Sequence, residues 1–137
     1  MKEDFLHFIW NYKLYEKDNL IAVDGEPVEV ISAGRHNTHA GPDFFDARIK
    51  IGNTLWAGNV EVHLKSSDWN RHGHQKDAVY RNTILHAVSE HDTDVYNDTG
   101  SVVPSLVLKW PERIERNWLS LMDSHDWVKC AAQLYKI

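Results

Sequence analysis

The spacing of apolar residues along the chain predicts a helix first and extended segments after it. Apolar side chains recur every three or four positions over roughly residues 2–17, as they do on one face of an amphipathic helix. Two short apolar runs, at 20–23 and 28–31, then flank Asp24-Gly25, a dipeptide that favours a tight turn between strands. The first part of the chain is therefore expected to form a helix and a hairpin.

A second hairpin is predicted in the middle of the chain. Two extended segments, at about 43–51 and 54–64, flank a Gly-Asn dipeptide of the kind found in two-residue turns. In an antiparallel ladder folded at this turn, Asp43 comes opposite roughly residue 62. We therefore expect the carboxylates of Asp43 and Glu61 to lie side by side at one end of the ladder.

The second half of the chain predicts shorter elements. In order, these are a polar segment at 65–76, a short helix at 77–82, a buried strand at 83–88, a solvated acidic loop at 89–101, an edge strand at 102–108 that Pro104 interrupts, and a helix from Pro111 to about Met122. The overall order is helix, three or four antiparallel strands, helix and strand. We therefore expect an α/β domain with a mixed sheet flanked by helices.

Composition is typical of one globular domain spanning residues 1–137. Hydrophobic residues make up 42% of the chain, and no apolar run approaches the length of a membrane span. The single cysteine, Cys130, excludes an internal disulfide, and the first residues lack a secretion signal, so we expect a cytoplasmic protein that does not enter a membrane. Because residues 126–137 are apolar for an exposed end, we expect that they dock on another surface or that the chain is the N-terminal part of a longer protein.

The predicted pair of carboxylates indicates a metal site. Two acids held together without a fixed cation repel each other, and a hard divalent ion bound through oxygen is the usual reason to tolerate this. The alternative is that Asp43 and Glu61 are solvated acids on a hairpin face. The formal net charge of −5 argues against a protein that coats nucleic acid, but it is compatible with an enzyme that holds a few phosphates through a metal.

Two short motifs on these strands carry a resemblance to a nuclease superfamily. Pro42-Asp43 precedes Glu61-Val62-His63, and the two acids are 18 positions apart. In this context the sequence resembles the PD-(D/E)xK phosphodiesterases, which are the restriction-endonuclease-like nucleases. The resemblance implies a restriction-endonuclease-like fold and metal-dependent phosphodiester hydrolysis on nucleic acid. It also implies that Mg²⁺ or Mn²⁺ is held by Asp43, Glu61 and the main-chain carbonyl of Val62.

The chain departs from that superfamily at one position, because His63 stands where the motif has lysine. Lys65 points to the same face of the strand as His63 and could supply the missing charge from one step further along. Alternatively, His63 is a metal ligand or the general base. A third reading is a catalytically inactive binding or assembly module that keeps the fold. We favour His63 over Lys65, since it occupies the motif position itself.

The remaining histidines form a constellation of their own. His72 and His74, with Asp77 nearby and His86 on the next predicted strand, have the ligand types of a zinc site. We favour a different role, in which the loop carrying His72 and His74 overhangs the carboxylates and contributes phosphate contacts or a proton shuttle. Asn37, in the loop before Asp43, is assigned with them to substrate binding.

A longer string of residues resembles a bacterial family of domains of unknown function, over roughly residues 24–92. The string consists of Asn37, Ala40-Gly41-Pro42-Asp43-Phe44, Trp56, Gly58-Asn59-Val60-Glu61-Val62-His63, Ser66-Ser67-Asp68-Trp69, His72, His74, Asp77, Tyr80, Asn82 and Ile84-Leu85-His86. Members of this family tend to be considerably longer than this chain. The resemblance implies no activity, so the function has to be argued from the chemistry of the residues.

Overall fold

The chain forms three helices and eight strands within residues 3–122, the part that the structure, a computed structural model, describes. The helices are α1 (Glu3–Asn11), α2 (Asp68–Arg71) and α3 (Glu112–Met122), with short 3₁₀ helices at His74–Lys76 and Ala78–Tyr80. The strands are β1 (Val28–Ser32), β2 (Arg35–His36), β3 (Phe44–Ile51), β4 (Thr54–Lys65), β5 (Thr83–Glu90), β6 (Val95–Tyr96), β7 (Val102–Val103) and β8 (Ser105–Val107). The α/β class is confirmed, and the apolar segment 126–137 lies outside the described residues. None of the helices within 3–122 has the length and apolar character needed to cross a membrane.

Helix α1 has the predicted apolar face but ends earlier than expected. It stops at Asn11 instead of near residue 17, because the chain turns at Lys13 with a left-handed φ of 53°. The N–H of Leu14 then donates to the carbonyl of Ile9 at 3.0 Å and closes the helix end. The buried residues of the helix are Phe5, Leu6, Ile9 and Trp10.

Six strands form one mixed sheet, in the order β1-β3-β4-β5-β8, with β2 paired to β3. Strands β1, β3 and β4 are antiparallel neighbours, whereas β5 runs parallel to β4 and β8 runs parallel to β5. The strands predicted at about 43–51 and 54–64 are confirmed. The predicted edge strand is also confirmed, since β8 lies at the end of the sheet and Pro104 separates it from β7.

The first predicted hairpin is present but short. Around a bridge between Ile21 and Pro27, the N–H of Ala22 donates to the carbonyl of Glu26 and the N–H of Val28 to that of Leu20, each at 2.8 Å. The second predicted strand, β1, also pairs with β3. This pairing places Val28 opposite Ile51 and Val30 opposite Ile49, so the apolar side chains of β1 join the main sheet. The hairpin therefore ends near Val28, and the rest of β1 belongs to the main sheet.

A β-bulge in β3 sets the register beside the predicted carboxylates. Near the turn the pairing follows the predicted register, but beyond the bulge Phe44 pairs with Val60. The bulge includes Asp46, whose left-handed φ of 58° is one that aspartate tolerates better than most residues. The extra residue in β3 brings Asp43 to the level of Glu61, one position away from the predicted register.

The two faces of β4 have different surroundings. Val60 and Val62 are fully buried in the main core, which also contains the apolar side chains of α1. Glu61 and His63 point to the opposite face, as the alternation of side chains along a strand predicts. That face is covered by residues 66–82, which connect β4 to β5 and are called the crossover segment below.

The crossover segment is fixed to the sheet by a buried tryptophan and by an acidic residue. Trp69 is fully buried and donates its indole N–H to the carbonyl of Tyr96 at 2.9 Å. Asp92 accepts hydrogen bonds from the hydroxyls of Ser66 and Ser67 at 2.8 and 2.7 Å. The acidic loop that contains Asp92 was predicted to be solvated; Asp92 is exposed, as predicted, and its carboxylate also caps the start of the segment.

Candidate metal centre

The two carboxylates singled out by the sequence meet across β3 and β4. The N–H of Asp43 donates to Glu61 Oε1 at 3.0 Å, and the N–H of Val62 donates to Asp43 Oδ2 at 2.8 Å. Each carboxylate thus accepts a hydrogen bond from the backbone of the neighbouring strand. Glu61 is only 3% exposed, so this carboxylate pair (Asp43 and Glu61) is largely shielded from water.

Helix α1 contributes two further groups to the same place. His7 Nε2 lies 3.5 Å from Asp43 Oδ2 and 3.5 Å from Glu3 Oε1. We call Glu3, His7 and Asp43 the helix cluster. Their ligand-type atoms lie within 4.8 Å of one another. Glu3 and His7 are one helical turn apart, which places both side chains on the face of α1 that meets the start of β3.

Three imidazoles form a second group on the other side of Glu61. His63 comes from β4, His72 follows the end of α2, and His74 begins the next 3₁₀ helix. We call them the histidine cluster. One ring nitrogen of each lies within 4.8 Å of the others, and His63 Nε2 is 3.2 Å from His72 Nδ1. His63 and His74 are buried, whereas His72 is exposed at the rim.

Glu61 joins the two groups through its two oxygens. Its Oε1 accepts the Asp43 N–H at 3.0 Å, while its Oε2 lies 2.6 Å from His74 Nε2 and 3.8 Å from His63 Nε2. One carboxylate therefore faces the helix cluster and the histidine cluster at once. The carboxylate pair and the histidine cluster form one continuous polar site beneath the crossover segment.

A second layer of side chains holds the histidine cluster in place. His63 Nδ1 lies 2.6 Å from Nε2 of His86, a fully buried residue of β5. The His74 ring stacks on Tyr80 with centroids 3.6 Å apart, and Trp69 packs edge-on against it at 5.2 Å. Within the described residues, His74 Nδ1 and His86 Nδ1 are buried without a hydrogen-bond partner.

Electrostatics keep the histidine of the helix cluster charged. Burial alone would lower the pKa of His7, but hydrogen bonds and charges from Asp43 and Glu3 raise that pKa to about 9. Burial alone would likewise raise the pKa of Asp43, but the hydrogen bond and charge of His7 lower it to about 2. The helix cluster therefore contains an imidazolium beside a carboxylate at neutral pH.

Around Glu61 the carboxyl group is protonated and the imidazoles are neutral, the opposite of the helix cluster. Burial, followed by the charge of Asp43, raises the pKa of Glu61 to about 10. Burial, followed by the neighbouring imidazoles, lowers the pKa of His63 to about 3 and that of His74 to about 4. The pKa of His86 falls to about 3 for the same reasons. These rings are neutral at pH 7, which is the form that binds metal.

Some residues predicted for the site have other contacts. The ammonium of Lys65 lies 3.8 Å from Glu90, and 60% of the Lys65 side chain is exposed. The amide of Asn37 donates to the carbonyls of Ala40 and Pro42 and so braces the loop that leads into β3. Asp77, suggested as a zinc ligand, instead caps the second 3₁₀ helix by accepting from the N–H of Val79 at 3.0 Å.

Three residues of the site were not assigned their observed role from the sequence. Glu3 and His7 carried a usable signal, since an acid and a histidine four positions apart on a helix share one face. His86 was grouped with His72 and His74, but the structure places it behind His63. That contact follows from the parallel pairing of β4 with β5, which sets Glu61 beside His86.

Comparison with known proteins places the chain in a family. The model of the family described as "Protein of unknown function (DUF2851)" matches residues 3–137. The chain belongs to this family. This confirms the resemblance to a domain-of-unknown-function family that the sequence indicated. No curated protein and no solved structure matches the chain.

For this member of the DUF2851 family, the donor atoms decide which metals the site suits. The carboxylate pair offers oxygen, which Mg²⁺ and Mn²⁺ accept. The histidine cluster offers nitrogen, which suits Mn²⁺ and the later transition ions but not Mg²⁺. The donor set therefore fits a divalent transition ion beside Glu61, and of the two ions that the sequence indicated it favours Mn²⁺.

Proposed function

We propose that this chain is a metal-dependent phosphodiesterase that acts on nucleic acid. The observation that carries the proposal is the reciprocal hydrogen bonding of Asp43 and Glu61 across β3 and β4. It holds two carboxylates together in a largely buried place where their repulsion is costly. Buried groups with strongly shifted pKa values are common at functional sites, where the shift suits them to bind a ligand or to take part in a reaction.

The arrangement of elements supports a restriction-endonuclease-like topology. Helix α1 comes first, the antiparallel strands β1, β3 and β4 follow, and β5 lies parallel to β4 after the crossover segment. Asp43 then precedes the second strand of the antiparallel set, and Glu61 lies inside the third. Glu3 adds a carboxylate from the first helix. This is the order that the resemblance to the PD-(D/E)xK nucleases implies.

In this proposal Asp43 and Glu61 hold Mn²⁺ or Mg²⁺, with the carbonyl of Val62 as a third group. The bound ion would lower the pKa of a water molecule and offset charge on the phosphate. Asp43 is already ionised, because His7 lowers its pKa to about 2. Glu61 would lose its proton when the ion binds, since a nearby dication reverses the effect of its buried carboxylate neighbour.

The chain's own residues supply the charge and the proton acceptor. His7, with a pKa raised to about 9, places a cation beside Asp43 and compensates for the absence of the motif lysine. His63 is neutral and can accept a proton at the motif position. His72 is exposed at the rim, where an incoming phosphate would meet it first. Asn37 acts by bracing the loop before Asp43.

The test is cleavage of labelled single- and double-stranded DNA and RNA by protein freed of metal and then supplied with Mn²⁺ or Mg²⁺. We expect cleavage only with metal, and Glu61→Gln should reduce it on the order of a hundredfold or more, the scale of losing one transition-state contact. Glu90→Gln is the matched control, because Glu90 lies at the exposed end of the neighbouring strand. It should cleave like the wild type.

The rival function is a binding or assembly module without catalysis. Its support is that His63 replaces the motif lysine and that Lys65 pairs with Glu90 instead. If wild-type protein is inert on all four substrates with both ions, while nucleic acid still binds in a gel-shift assay, the binding module replaces the enzyme. Equal cleavage by wild type and Glu61→Gln would remove the carboxylate pair from the mechanism.

A further inference from the structure

The histidine cluster has the dimensions of a tetrahedral metal site. Zinc–nitrogen bonds of 2.0–2.1 Å at tetrahedral angles place ligand atoms about 3.3 Å apart. The separations are 3.2 Å for His63 Nε2 and His72 Nδ1, and 3.8 Å for His63 Nε2 and Glu61 Oε2. The contact of 2.6 Å between His74 Nε2 and Glu61 Oε2 is the one that must open. The three imidazole nitrogens thus lie within 4.8 Å of one another, and Glu61 Oε2 adjoins two of the three rings.

We propose that His63, His72, His74 and Glu61 bind one Zn²⁺ ion. Three imidazole nitrogens and a carboxylate oxygen form a donor set that zinc commonly takes in proteins. The sequence alone suggested a zinc site from His72 and His74 with Asp77 and His86. The structure replaces the last two with His63 and Glu61. This site goes beyond the proposed phosphodiesterase activity and stands whether or not that activity exists.

The ligand count gives the ion a structural role. Sites with four protein ligands are closed, whereas catalytic zinc sites keep a position open for water. Here two ligands lie on β4 and two lie on the crossover segment, so the ion would fasten that segment to the sheet. The segment needs such support, because α2 spans only four residues and the 3₁₀ helices three each, lengths that are marginal on their own.

The surroundings of the ligands suit this role. Metal-binding histidines usually direct their second ring nitrogen to a fixed partner, and His63 Nδ1 has one in His86 Nε2 at 2.6 Å. The stack of His74 on Tyr80, with Trp69 against its edge, fixes a second ligand ring and limits access of water. His72 alone is exposed, so it provides the path by which an ion enters.

Cobalt serves as the spectroscopic probe for the zinc site. Metal-free protein carrying Cys130→Ser, so that no thiol can contribute a ligand, is titrated with Co²⁺ alone. We expect the intense visible bands of tetrahedral cobalt and their loss when one equivalent of Zn²⁺ is added. Weak bands of a six-coordinate ion, or no saturation at one equivalent, would overturn the proposal.

The decisive variant is His72→Ala, because an exposed residue can be replaced without disturbing the core. It should weaken Zn²⁺ binding by at least the 10- to 100-fold known for outer-sphere partners of metal ligands, measured by competition with a chromophoric chelator. His39→Ala, which removes another exposed histidine, should bind like the parent protein. Equal affinity in the His72 and His39 variants would overturn the proposal.

A second measurement follows the crossover segment itself. Arg71 and Lys76 flank the two histidines of the segment, so trypsin cleavage at these residues reports how firmly it is held. Zn²⁺ should slow this cleavage in the parent protein and in His39→Ala but not in His72→Ala. Cleavage that Zn²⁺ leaves unchanged in the parent protein would show that the ion does not fasten the segment.

The zinc site takes up Glu61, His63 and His72, which the proposed phosphodiesterase centre also uses, whereas Asp43 belongs to that centre alone. With zinc bound, His63 and His72 would hold the ion instead of accepting a proton or meeting phosphate. Asp43→Asn should remove Mn²⁺-dependent cleavage and leave the cobalt spectrum intact, because Asp43 does not contact the histidine cluster. If Asp43→Asn retains the spectrum and wild type never cleaves nucleic acid, the proposed activity fails and the zinc site stands. If the spectrum is absent while cleavage persists, the zinc site fails alone.

Discussion

The helix cluster and the histidine cluster both pair imidazole with carboxylate, yet their protons are arranged in opposite ways. In the helix cluster His7 is charged and Asp43 is ionised, with pKa values moved to about 9 and about 2. In the histidine cluster His63 is neutral, and the adjoining Glu61 holds a proton, with pKa values of about 3 and about 10. The two environments meet at the carboxylate pair.

The difference teaches that neighbours, and not residue type, decide the charge of a buried histidine. His7 faces two carboxylates and few other imidazoles, so attraction outweighs the cost of burial. His63 is buried and faces three imidazoles, and the neighbouring carboxyl of Glu61 is protonated because it is buried and lies beside Asp43. One side of the site therefore carries a positive charge, and the other presents neutral imidazoles.

The largest expected effect is loss of stability in acid. Because the pKa values of His63, His74 and His86 are depressed, their contribution to stability is complete above their ordinary pKa of 6.5 and is lost as the pH falls toward 4. Glu61 opposes this, since its raised pKa favours the folded state in acid. We expect the free energy of unfolding of metal-free protein to fall by on the order of 4 kcal/mol between about pH 7 and about pH 4. Urea unfolding measures it, and a flat profile would contradict neutral histidines.

The next effect concerns the charged histidine at alkaline pH. Because the pKa of His7 is raised, its contribution to stability is complete below 6.5 and is lost as the pH rises through about 9. Glu61 loses its contribution over a similar range, so the variant must be compared with wild type. His7→Gln should reduce the alkaline loss by about 2 kcal/mol. His39→Gln is the matched control, and identical profiles for the two variants would show that His7 is not charged.

A gain in stability is expected from replacing the carboxyl group of Glu61 with an amide. Its raised pKa means that the buried carboxyl must take up a proton on folding at neutral pH, which costs free energy. Glu61→Gln should therefore raise the free energy of unfolding of metal-free protein by about 1 to 2 kcal/mol at about pH 8. Glu90→Gln should change it far less. If Glu61→Gln is less stable than the parent protein in the absence of metal, the pKa of Glu61 is not raised as described.

The smallest effect is expected at Lys65, the alternative source of positive charge. Lys65 and Glu90 form an exposed pair at 3.8 Å, and such pairs contribute little. Lys65→Ala should change the free energy of unfolding by less than about 0.5 kcal/mol and should leave metal-dependent cleavage intact. Cleavage lost in Lys65→Ala but retained in His63→Ala would reverse the assignment of these two residues.

Much of the fold follows from patterns within short stretches of the chain. The hairpin of β3 and β4 has a turn signal, and α1 has a clear apolar face, so both are predictable. The end of α1 was not, because it depends on the left-handed conformation of Lys13. The hairpin around Asp24-Gly25 is shorter than predicted, and the pairing of β1 with β3 is a contact that local patterns do not encode.

The sequence predicted most of the residues of the site, but not which of them contact one another. Alternation along β4 places Glu61 and His63 on one face, and the hairpin brings Asp43 to them. The contacts of His63 with His72 and His86 depend on the path of the crossover segment and on parallel pairing with β5. Both join residues that are distant in sequence, so only the folded chain reveals them.

The bulge at Asp46 fixes where Asp43 meets β4. Between Phe44 and Ala47, two residues of β3 stand against the single residue Asn59 of β4. If both of them paired regularly, the register set near the turn would carry Asp43 one position further, opposite Val62. The place of Asp43 is thus set by the bulge as much as by the identity of its side chain.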